Sequence, residues 1–200
     1  MKIILHKIIN LFNEILIIQC NVYFIRSMKS QKLKILVIGG SGLVGYSLVK
    51  FLLKNNHDVY VTYNKKIIEI SNSIYLDIMD KNMTEKIISK FKPNIVINCA
   101  ALTRVDLCET NHKLAEKLNI EGTQNIVSAC IKNSCKLIQI STSYVFDGKK
   151  SLYSETDEAL GATYYGITKM RGEEIIKNSQ LKYLILRTDQ PYGLTEKWQK

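Results

Sequence analysis

Residues 36–45 read LVIGGSGLVG, an apolar run that enters a cluster of glycines and leaves as the start of a helical pattern. Three of these glycines are spaced Gly39-x-x-Gly42-x-x-Gly45. Glycine reaches backbone angles closed to other residues, its missing side chain lets phosphate approach the backbone, and a helix start presents unpaired N–H groups. The stretch therefore predicts a turn that binds a nucleotide pyrophosphate; the alternative is a plain tight turn between strand and helix.

Strand and helix patterns alternate along the rest of the chain. Apolar runs typical of buried strands lie at 34–38, 58–63, 74–76, 94–99, 137–141 and 183–187. Helical patterns lie at 43–54, 83–91, 112–132 and 162–177. Alternation with short connections predicts an α/β fold, a doubly wound parallel sheet with helices on both faces.

Composition narrows the classes of function. The formal charge of +10 is spread over helices and loops without a dense basic block, which argues against a nucleic-acid interface. The five cysteines are an odd count with no C-x-x-C pair, which argues against a disulfide framework or a metal site. This cysteine usage suits a reducing compartment, so we expect a cytoplasmic protein.

Residues 1–32 are interpreted as an N-terminal extension outside the fold. Their apolar residues are interrupted by polar ones, and no uninterrupted span reaches the ~20 residues of a membrane helix, so no integral span is predicted. An amphipathic helix at a membrane surface is one interpretation. The alternative that we favour is a natural start at Met28, just before the first strand.

Tyr165 and Lys169 lie four residues apart at the start of a predicted helix, so they share one face. A free tyrosine has a pKa near 10, and a nearby lysine charge is expected to lower it and allow proton transfer at neutral pH. Tyr164 points roughly 100° away around the helix. The alternative is an ordinary pair on a surface helix.

Three hydroxyl side chains, Ser141, Thr142 and Ser143, end the fifth predicted strand. Ligands of doubly wound sheets bind at this edge, although serine and threonine also serve simply to satisfy turns. The glycine triad, the hydroxyl-rich strand end and the Tyr–Lys pair occur in this order. Together they predict a nucleotide-dependent oxidoreductase that acts on an alcohol or a ketone.

The second predicted strand ends at Tyr63 without an acidic residue, and Lys65 and Lys66 follow it. An acidic residue at this point would hold the ribose hydroxyls of NAD. Its absence beside two lysines favours NADP, with NAD as the alternative.

Six motifs in this order resemble the extended short-chain dehydrogenase/reductase superfamily: Gly39-x-x-Gly42-x-x-Gly45, Leu76-Asp77-Ile78, Asn98-Cys99-Ala100-Ala101, Asn119, residues 141–148, and Tyr165-Gly166-x-x-Lys169. Within it, Val105-Asp106, residues 144–148 and Gly172-Glu173 are most similar to the dTDP-4-dehydrorhamnose reductases. The resemblance covers residues 33–193.

This resemblance implies reduction of a 4-keto group on a nucleotide-activated 6-deoxysugar. It implies that Tyr165 donates a proton, that Lys169 holds the nicotinamide ribose, and that Thr142 hydrogen-bonds the carbonyl, with Ser143 also facing the sugar. It further implies three groups of cofactor contacts: Gly42, Leu43 and Val44 at the pyrophosphate, Asp77 and Ile78 at adenine, and Ala100, Ala101 and Leu102 at the ribose and nicotinamide.

Two positions depart from the pattern of the reductases. Ser143 stands where they usually carry an aspartate, and residues 189–193 read DQPYG where they usually continue with an aromatic residue. Both departures lie near the expected substrate, so they bear on the sugar rather than on the cofactor.

Family members continue into a C-terminal substrate-binding region of roughly 100 residues. Residues 33–200 are therefore interpreted as a Rossmann-like NAD(P)-binding domain that is truncated at its C-terminal end, with a homodimer partner or another subunit as one source of the missing surface. Two other functions stay open. One is a nucleotide-sugar epimerase or dehydratase, and the other is a non-catalytic NADP-binding subunit like the regulatory subunit of methionine adenosyltransferase.

Overall fold

The computed structural model describes residues 32–189 and residue 191. Six strands in this range form one sheet: β1 (Lys34–Ile38), β2 (Asp58–Tyr63), β3 (Ser73–Tyr75), β4 (Ile95–Asn98), β5 (Lys136–Thr142) and β6 (Tyr183–Thr188). Their spatial order is β3-β2-β1-β4-β5-β6, and all neighbouring pairs are parallel. The predicted parallel sheet is confirmed, while residues 1–31 of the predicted extension lie outside the described residues.

Six α-helices connect or follow these strands: α1 (Leu43–Lys54), α2 (Lys81–Phe91), α3 (Val105–Thr110), α4 (His112–Glu116), α5 (Gly122–Lys132) and α6 (Tyr164–Lys177). A π-helical turn, Lys117–Glu121, joins α4 to α5, and a 3-10 turn, Ser143–Val145, follows β5. The prediction of one regular helix over 112–132 was wrong at this π turn, and α3 was not predicted.

The central strands are buried on both faces, which explains their nearly continuous apolar sequences. Alternate side chains of β1 enter different clusters because successive residues of a strand point to opposite faces. Leu36 and Ile38 pack in the cluster that includes Ile88 of α2, Ile126 of α5 and Ile176 of α6. On the other face, Ile35 and Val37 pack in the cluster that includes Val49 and Leu52 of α1. Helices therefore cover both faces of the sheet.

The direction of winding reverses beside β1, because β2 and β3 lie on one side of it and β4, β5 and β6 on the other. The loops after β1 and β4 consequently diverge to opposite faces of the sheet. In doubly wound folds the crevice between such loops, at the carboxyl ends of the strands, is where ligands bind. The fold thus directs attention to the residues that follow β1, β4 and β5.

Within residues 32–189, no helix is long and apolar enough to cross a membrane. The four cysteines in the same range, Cys99, Cys108, Cys130 and Cys135, are free thiols. Burial raises the pKa of Cys99 to about 12, and the charge of Lys169 opposes this rise only in part. The Cys99 thiol therefore stays uncharged at neutral pH and behaves as a small side chain.

Candidate cofactor-binding and active site

The turn between β1 and α1 leaves no room for side chains at two glycines of the triad. Gly39 has φ +78°, and a Cβ on it would lie 2.8 Å from the backbone nitrogen of Ala100. A Cβ on Gly45 would lie 2.4 Å from the carbonyl oxygen of Gly39. Gly42 is different, because it is exposed and its Cβ would come no closer than 3.4 Å to that oxygen. Gly39 and Gly45 shape the turn, and Gly42 faces outward.

Gly40 is a further constrained glycine that sequence reasoning left unassigned. A Cβ on Gly40 would lie 2.1 Å from Cγ1 of Val61 on β2. Its backbone N–H donates to the carbonyl oxygen of Thr62 at 2.9 Å. Gly40, which follows Gly39, therefore packs the turn against β2. This contact depends on strand packing and has no local sequence signal.

The N-terminal end of α1 has the chemistry that an anion requires. The helix begins after Gly42, no side chain caps its first N–H groups, and its first turn contains no acidic residue. The positive end of the helix dipole is therefore not compensated locally, and the main chain of Gly42, Leu43 and Val44 offers donors to a pyrophosphate. The glycine turn and this helix start together fit a dinucleotide.

Replacing Gly39 with alanine tests the close approach of this turn to Ala100. The control is Gly148→Ala, because Gly148 also has a positive φ, +75°, but a Cβ on it would meet nothing within 4 Å. We expect this control to lower the free energy of unfolding by about 1–2 kcal/mol through backbone strain alone. Gly39→Ala combines similar backbone strain with the collision at Ala100, so we expect about 1–3 kcal/mol more. Urea denaturation of both variants measures the difference; equal losses would show that the turn adapts to a side chain.

The two residues predicted at adenine, Asp77 and Ile78, differ in which of their atoms a ligand could contact. Asp77 follows β3 and is half-buried, and its carboxylate accepts a hydrogen bond from the Met79 N–H at 3.0 Å. Ile78 is 4% exposed and packs beside α5, where a Cβ on Gly122 would lie 2.7 Å from its Cδ1. The Ile78 side chain is therefore a core residue, which leaves its main chain as the part able to meet a ligand.

The NADP prediction depends on the end of β2, where no acidic residue follows Tyr63 and two lysines come shortly after it. The ring of Tyr63 packs edge-on against Tyr75, with centroids 6.3 Å apart, and the Asn64 amide donates to the Leu76 carbonyl at 3.3 Å. The exposed residues Lys65 and Lys66 follow directly. The preference for NADP over NAD stays a prediction from this pattern.

Two buried asparagines fix the segment that follows β4. The N–H of Ala100 donates to Asn98 Oδ1 at 3.0 Å. The N–H of Leu102 donates to Asn119 Oδ1 at 2.8 Å, and Asn119 Nδ2 donates back to the Leu102 carbonyl at 3.1 Å. These bonds hold residues 100–102, the segment predicted at the cofactor ribose and nicotinamide, with Ala100 directly against Gly39.

Thr142 and Tyr165 are brought together by the tight packing of α6 against the 3-10 turn. A Cβ on Gly166 would lie 2.0 Å from the carbonyl oxygen of Tyr144, so only glycine fits at the first turn of α6. The hydroxyl of Thr163 caps α6 by accepting from the Gly166 N–H at 3.1 Å. The Thr142 side chain lies near the Tyr165 phenol, where it acts to lower the pKa of the phenol, and both residues are buried.

The structure corrects the expected direction of the Tyr165 pKa. Burial raises the pKa of this phenol above its usual value, and the nearby Thr142 side chain opposes the rise. Lys169, which was expected to lower the pKa of Tyr165, instead donates from Nζ to the carbonyl oxygen of Ile140 at 2.8 Å. A raised pKa keeps the phenol protonated at neutral pH, which is the form that a proton donor needs.

Lys169 is a buried ammonium at the carboxyl end of β5. Burial lowers its pKa to about 8, while the charge of Glu173 one turn further along α6 raises it. The side chain is therefore mainly charged at neutral pH, and the bond to Ile140 holds it beneath the strand end. An ammonium carries three donors, so it retains donors for a bound hydroxyl group.

Asn119 belongs to the quoted motifs, but the sequence analysis assigned no role to it. It is 2% exposed and lies in the π turn. Besides Leu102, its amide donates to the Thr168 hydroxyl at 3.0 Å, and that hydroxyl donates to the carbonyl oxygen of Tyr165 at 2.8 Å. Asn119 thereby links the segment after β4 to the helix that carries Tyr165. Its signals in the sequence are its place among the six motifs and its position as a polar residue on an apolar helical face.

Tyr164 lies outside this arrangement, as the helix geometry predicted. Its hydroxyl donates to Glu116 at 2.8 Å, and its ring stacks on His112 with centroids 3.6 Å apart. Tyr165, in contrast, packs with Cys108, Ala115 and the ring of Tyr144. The two adjacent tyrosines therefore face different surroundings.

A buried ion pair behind the site was also missed. Glu173 of α6 is 1% exposed and accepts bonds from Arg187 Nε at 3.0 Å and Nη2 at 2.7 Å. It also accepts from the Ser141 hydroxyl at 2.6 Å and from Lys177 Nζ at 3.1 Å. Burial works to raise the pKa of Glu173, but these bonds outweigh it and the pKa lies below its usual value. The cluster fastens α6 to β5 and β6.

Comparison with known proteins adds relatives that are similar to this chain in sequence. A dTDP-4-dehydrorhamnose reductase of Aggregatibacter actinomycetemcomitans is 37% identical over 161 residues, which are 80% of this chain and 52% of that protein. Subunit beta of methionine adenosyltransferase 2 from Pongo abelii is 32% identical over 165 residues, 82% of this chain and 48% of that protein. The chain thus spans about half the length of these relatives.

A solved structure of another dTDP-4-dehydrorhamnose reductase is also similar to this chain. The dTDP-4-dehydrorhamnose reductase of Bacillus anthracis in complex with NADP superposes with a TM-score of 0.72 at 32% identity, covering 80% of this chain and 54% of that one. The model of the RmlD substrate binding domain family matches residues 33–198. This match includes every site residue described above and confirms the resemblance drawn from the motifs. The chain therefore belongs to the RmlD substrate binding domain family.

Proposed function

We propose that this chain is the cofactor-binding part of an NAD(P)H-dependent reductase that reduces the 4-keto group of a nucleotide-activated deoxysugar. The observation that carries the proposal is the burial of Thr142, Tyr165 and Lys169 together at the carboxyl edge of the sheet. The nearby glycine turn is shaped for a dinucleotide, and the family includes proteins named as dTDP-4-dehydrorhamnose reductases.

Each of these side chains has a role that its surroundings support. NADPH, when bound, supplies the hydride. Tyr165 is protonated at neutral pH, as a phenol with an ordinary pKa near 10 also would be, and burial raises its pKa further. It can therefore donate the proton to the carbonyl oxygen. Thr142, which lies near that phenol, hydrogen-bonds the carbonyl oxygen, and Lys169 offers its remaining donors to the nicotinamide ribose.

NADP is the cofactor that we propose, with NAD as the alternative. The pyrophosphate would lie on the main chain of Gly42, Leu43 and Val44, and the adenosine would lie beyond β2, beside Lys65 and Lys66. The reductase of Bacillus anthracis, which is similar over 80% of this chain, is in complex with NADP. An aspartate or glutamate that would favour NAD is absent from residues 63–67.

A second candidate is a cofactor-binding subunit without catalysis. The observation in its favour is the 32% identity with subunit beta of methionine adenosyltransferase 2 over 82% of this chain. Such a protein would use the same glycine turn and would need no proton donor. Turnover, rather than binding, therefore distinguishes the two candidates.

The purified chain is expected to bind NADPH, detected as a change in nicotinamide fluorescence. A chain that has been joined to the part of the Bacillus anthracis reductase that it does not match is expected to oxidise NADPH when dTDP-4-dehydrorhamnose is added. Loss of absorbance at 340 nm, a property of the reduced nicotinamide, and chromatography of the sugar nucleotide follow the reaction. Binding without oxidation would favour the non-catalytic subunit. Absence of NADPH binding would contradict both candidates.

A further inference from the structure

The turn that joins α5 to β5 places two cysteines opposite each other. The N–H of Cys135 donates to the carbonyl oxygen of Cys130 at 3.0 Å, and the N–H of Ser134 donates to the carbonyl oxygen of Ile131 at 3.1 Å. Ser134 itself has φ 54°, in the left-handed region. Two such bonds around a left-handed residue form the Schellman motif, in which the side chains at the first and last positions commonly pack on each other. Cys130 and Cys135 occupy these two positions.

The backbone distance between these cysteines suits a disulfide. Standard bond lengths on either side of the hydrogen bond between Cys135 and Cys130 keep their two Cα atoms within about 7 Å of each other. A disulfide can form only up to about this separation. The four described cysteines fall in three core clusters, since Cys99 and Cys108 each pack in a different one. Cys130 and Cys135 are the two that share a cluster.

The two thiols differ in how easily a reagent reaches them. Cys130 is fully buried, whereas Cys135 is 3% exposed. The Cys135 Sγ lies 3.6 Å from the carbonyl oxygen of Asn133, within the turn, and the neighbouring Ser134 is exposed. The Cys130 side chain lowers the pKa of the Cys135 thiol, against the effect of burial. Because the thiolate is the form that attacks a disulfide, Cys135 is the thiol that reacts first.

We propose that Cys130 and Cys135 form a site of reversible oxidation, at which oxidised glutathione converts their two thiols into an intramolecular disulfide. The Cys135 thiolate attacks the glutathione disulfide, forms a mixed disulfide and releases one glutathione. The Cys130 thiol gives its proton to water, attacks the Cys135 sulfur and releases the second glutathione. The two protein thiols lose two electrons and two protons, which reduce one glutathione disulfide to two glutathione thiols.

This cross-link acts on stability, because it lies far from the candidate site. Cys135 precedes β5 directly and Thr142 ends it, so the strand separates them by about 20 Å. The disulfide joins the end of α5 to the start of β5 and constrains the unfolded chain. Transient disulfides of this kind occur in otherwise reducing compartments, where they commonly sense oxidants.

Peptide mapping of the full chain tests the inference. The folded chain is equilibrated with excess oxidised glutathione, its remaining thiols are blocked with N-ethylmaleimide in urea, and it is digested with trypsin. Lys132 lies between the two cysteines, so trypsin separates residues 118–132 from residues 133–136. We expect mass spectrometry to detect these two peptides joined by a disulfide, and dithiothreitol to separate them. The oxidised chain should also unfold at a higher urea concentration than the reduced chain.

Single variants assign the two thiols their order of reaction. Cys130→Ala should retain one glutathione on Cys135, because the thiol that releases it is missing, and Cys135→Ala should leave Cys130 unmodified. Cys99→Ala, which alters a cysteine of another cluster, is the matched control and should form the linked peptides as the wild type does. Absence of the linked peptides from the oxidised wild type, or linkage of Cys130 or Cys135 to a different cysteine, would overturn the inference. Linked peptides without a shift in the urea midpoint would overturn the stabilising role.

Discussion

Replacement of Tyr165 by phenylalanine is expected to lower the rate of ketone reduction roughly 1,000-fold, the usual contribution of a positioned proton donor. The variant removes a single oxygen atom from a buried ring whose contacts with Cys108, Ala115 and Tyr144 are otherwise unchanged. NADPH affinity should therefore stay within about twofold of the wild type. Stopped-flow measurement of hydride transfer at saturating NADPH isolates the chemical step.

Tyr164 provides the matched control because it is the same residue type one position earlier. Tyr164→Phe removes a hydroxyl that donates to Glu116 on α4, away from Thr142. We expect this variant to reduce the ketone at nearly the wild-type rate. A Tyr165→Phe variant that retained its activity, or a Tyr164→Phe variant that lost it, would mean that the proton comes from another group.

The strands and their order along the chain were predictable because each is a short apolar run bounded by polar or glycine residues. The run that enters the glycine triad also predicted a strand, a turn and a helix in sequence, and α1 has the predicted bounds Leu43–Lys54. Parallel alignment followed from the helices that lie between most of the strands, although β2 and β3 are parallel without a helix between them. Local pattern was sufficient wherever the structure is set by burial on a regular element.

The helices near the site were less predictable because contacts distant in sequence determine them. The short helix α3 is held by Cys108, which packs with Ala115 and Tyr165. The π turn around Asn119 satisfies bonds to Leu102 and Thr168, which lie 17 and 49 residues away. Inserted turns of this kind commonly occur at functional sites, and no local periodicity marks them.

In the candidate site, too, some features followed from local pattern and others depend on contacts distant in sequence. Motif spacing predicted that Thr142, Tyr165 and Lys169 would meet, and the structure brings them together at one strand end. The direction of the Tyr165 pKa was not predictable, since it depends on how deeply the ring is buried and on where the Lys169 ammonium is directed. Likewise, the pairing of Ser143 with Asp189 depends on the register of β5 against β6.

Replacement of Arg187 by methionine is expected to lower the free energy of unfolding at pH 7 by about 3–5 kcal/mol, the usual cost of removing one partner of a buried ion pair. The reason is that Glu173, 1% exposed, would keep its charge without its bidentate partner. The substitution also removes the stacking of the guanidinium 4.8 Å above the ring of Phe146. Urea denaturation monitored by circular dichroism gives the loss.

The control is Arg171→Met on α6, the helix that carries Glu173; it removes an exposed partner of Glu116 at 3.5 Å. A surface pair of this kind contributes at most about 1 kcal/mol, so this variant should unfold nearly as the wild type does. A similar loss in both variants would show that Arg187 acts through general charge and not through the buried pair.

The loss in Arg187→Met should also depend on pH, with a sign that follows from Glu173. Its pKa is lowered in the folded chain, so its ion pair stabilises the fold above the unfolded pKa of about 4.3 and loses that effect as the pH falls through the folded value. The gap between wild type and variant should therefore be largest near neutral pH and shrink in acid. In Glu173→Gln, which carries no charge at position 173, the effect of removing Arg187 should lack this dependence. A gap that stayed constant as the pH fell would assign the loss to the Phe146 stacking and packing alone.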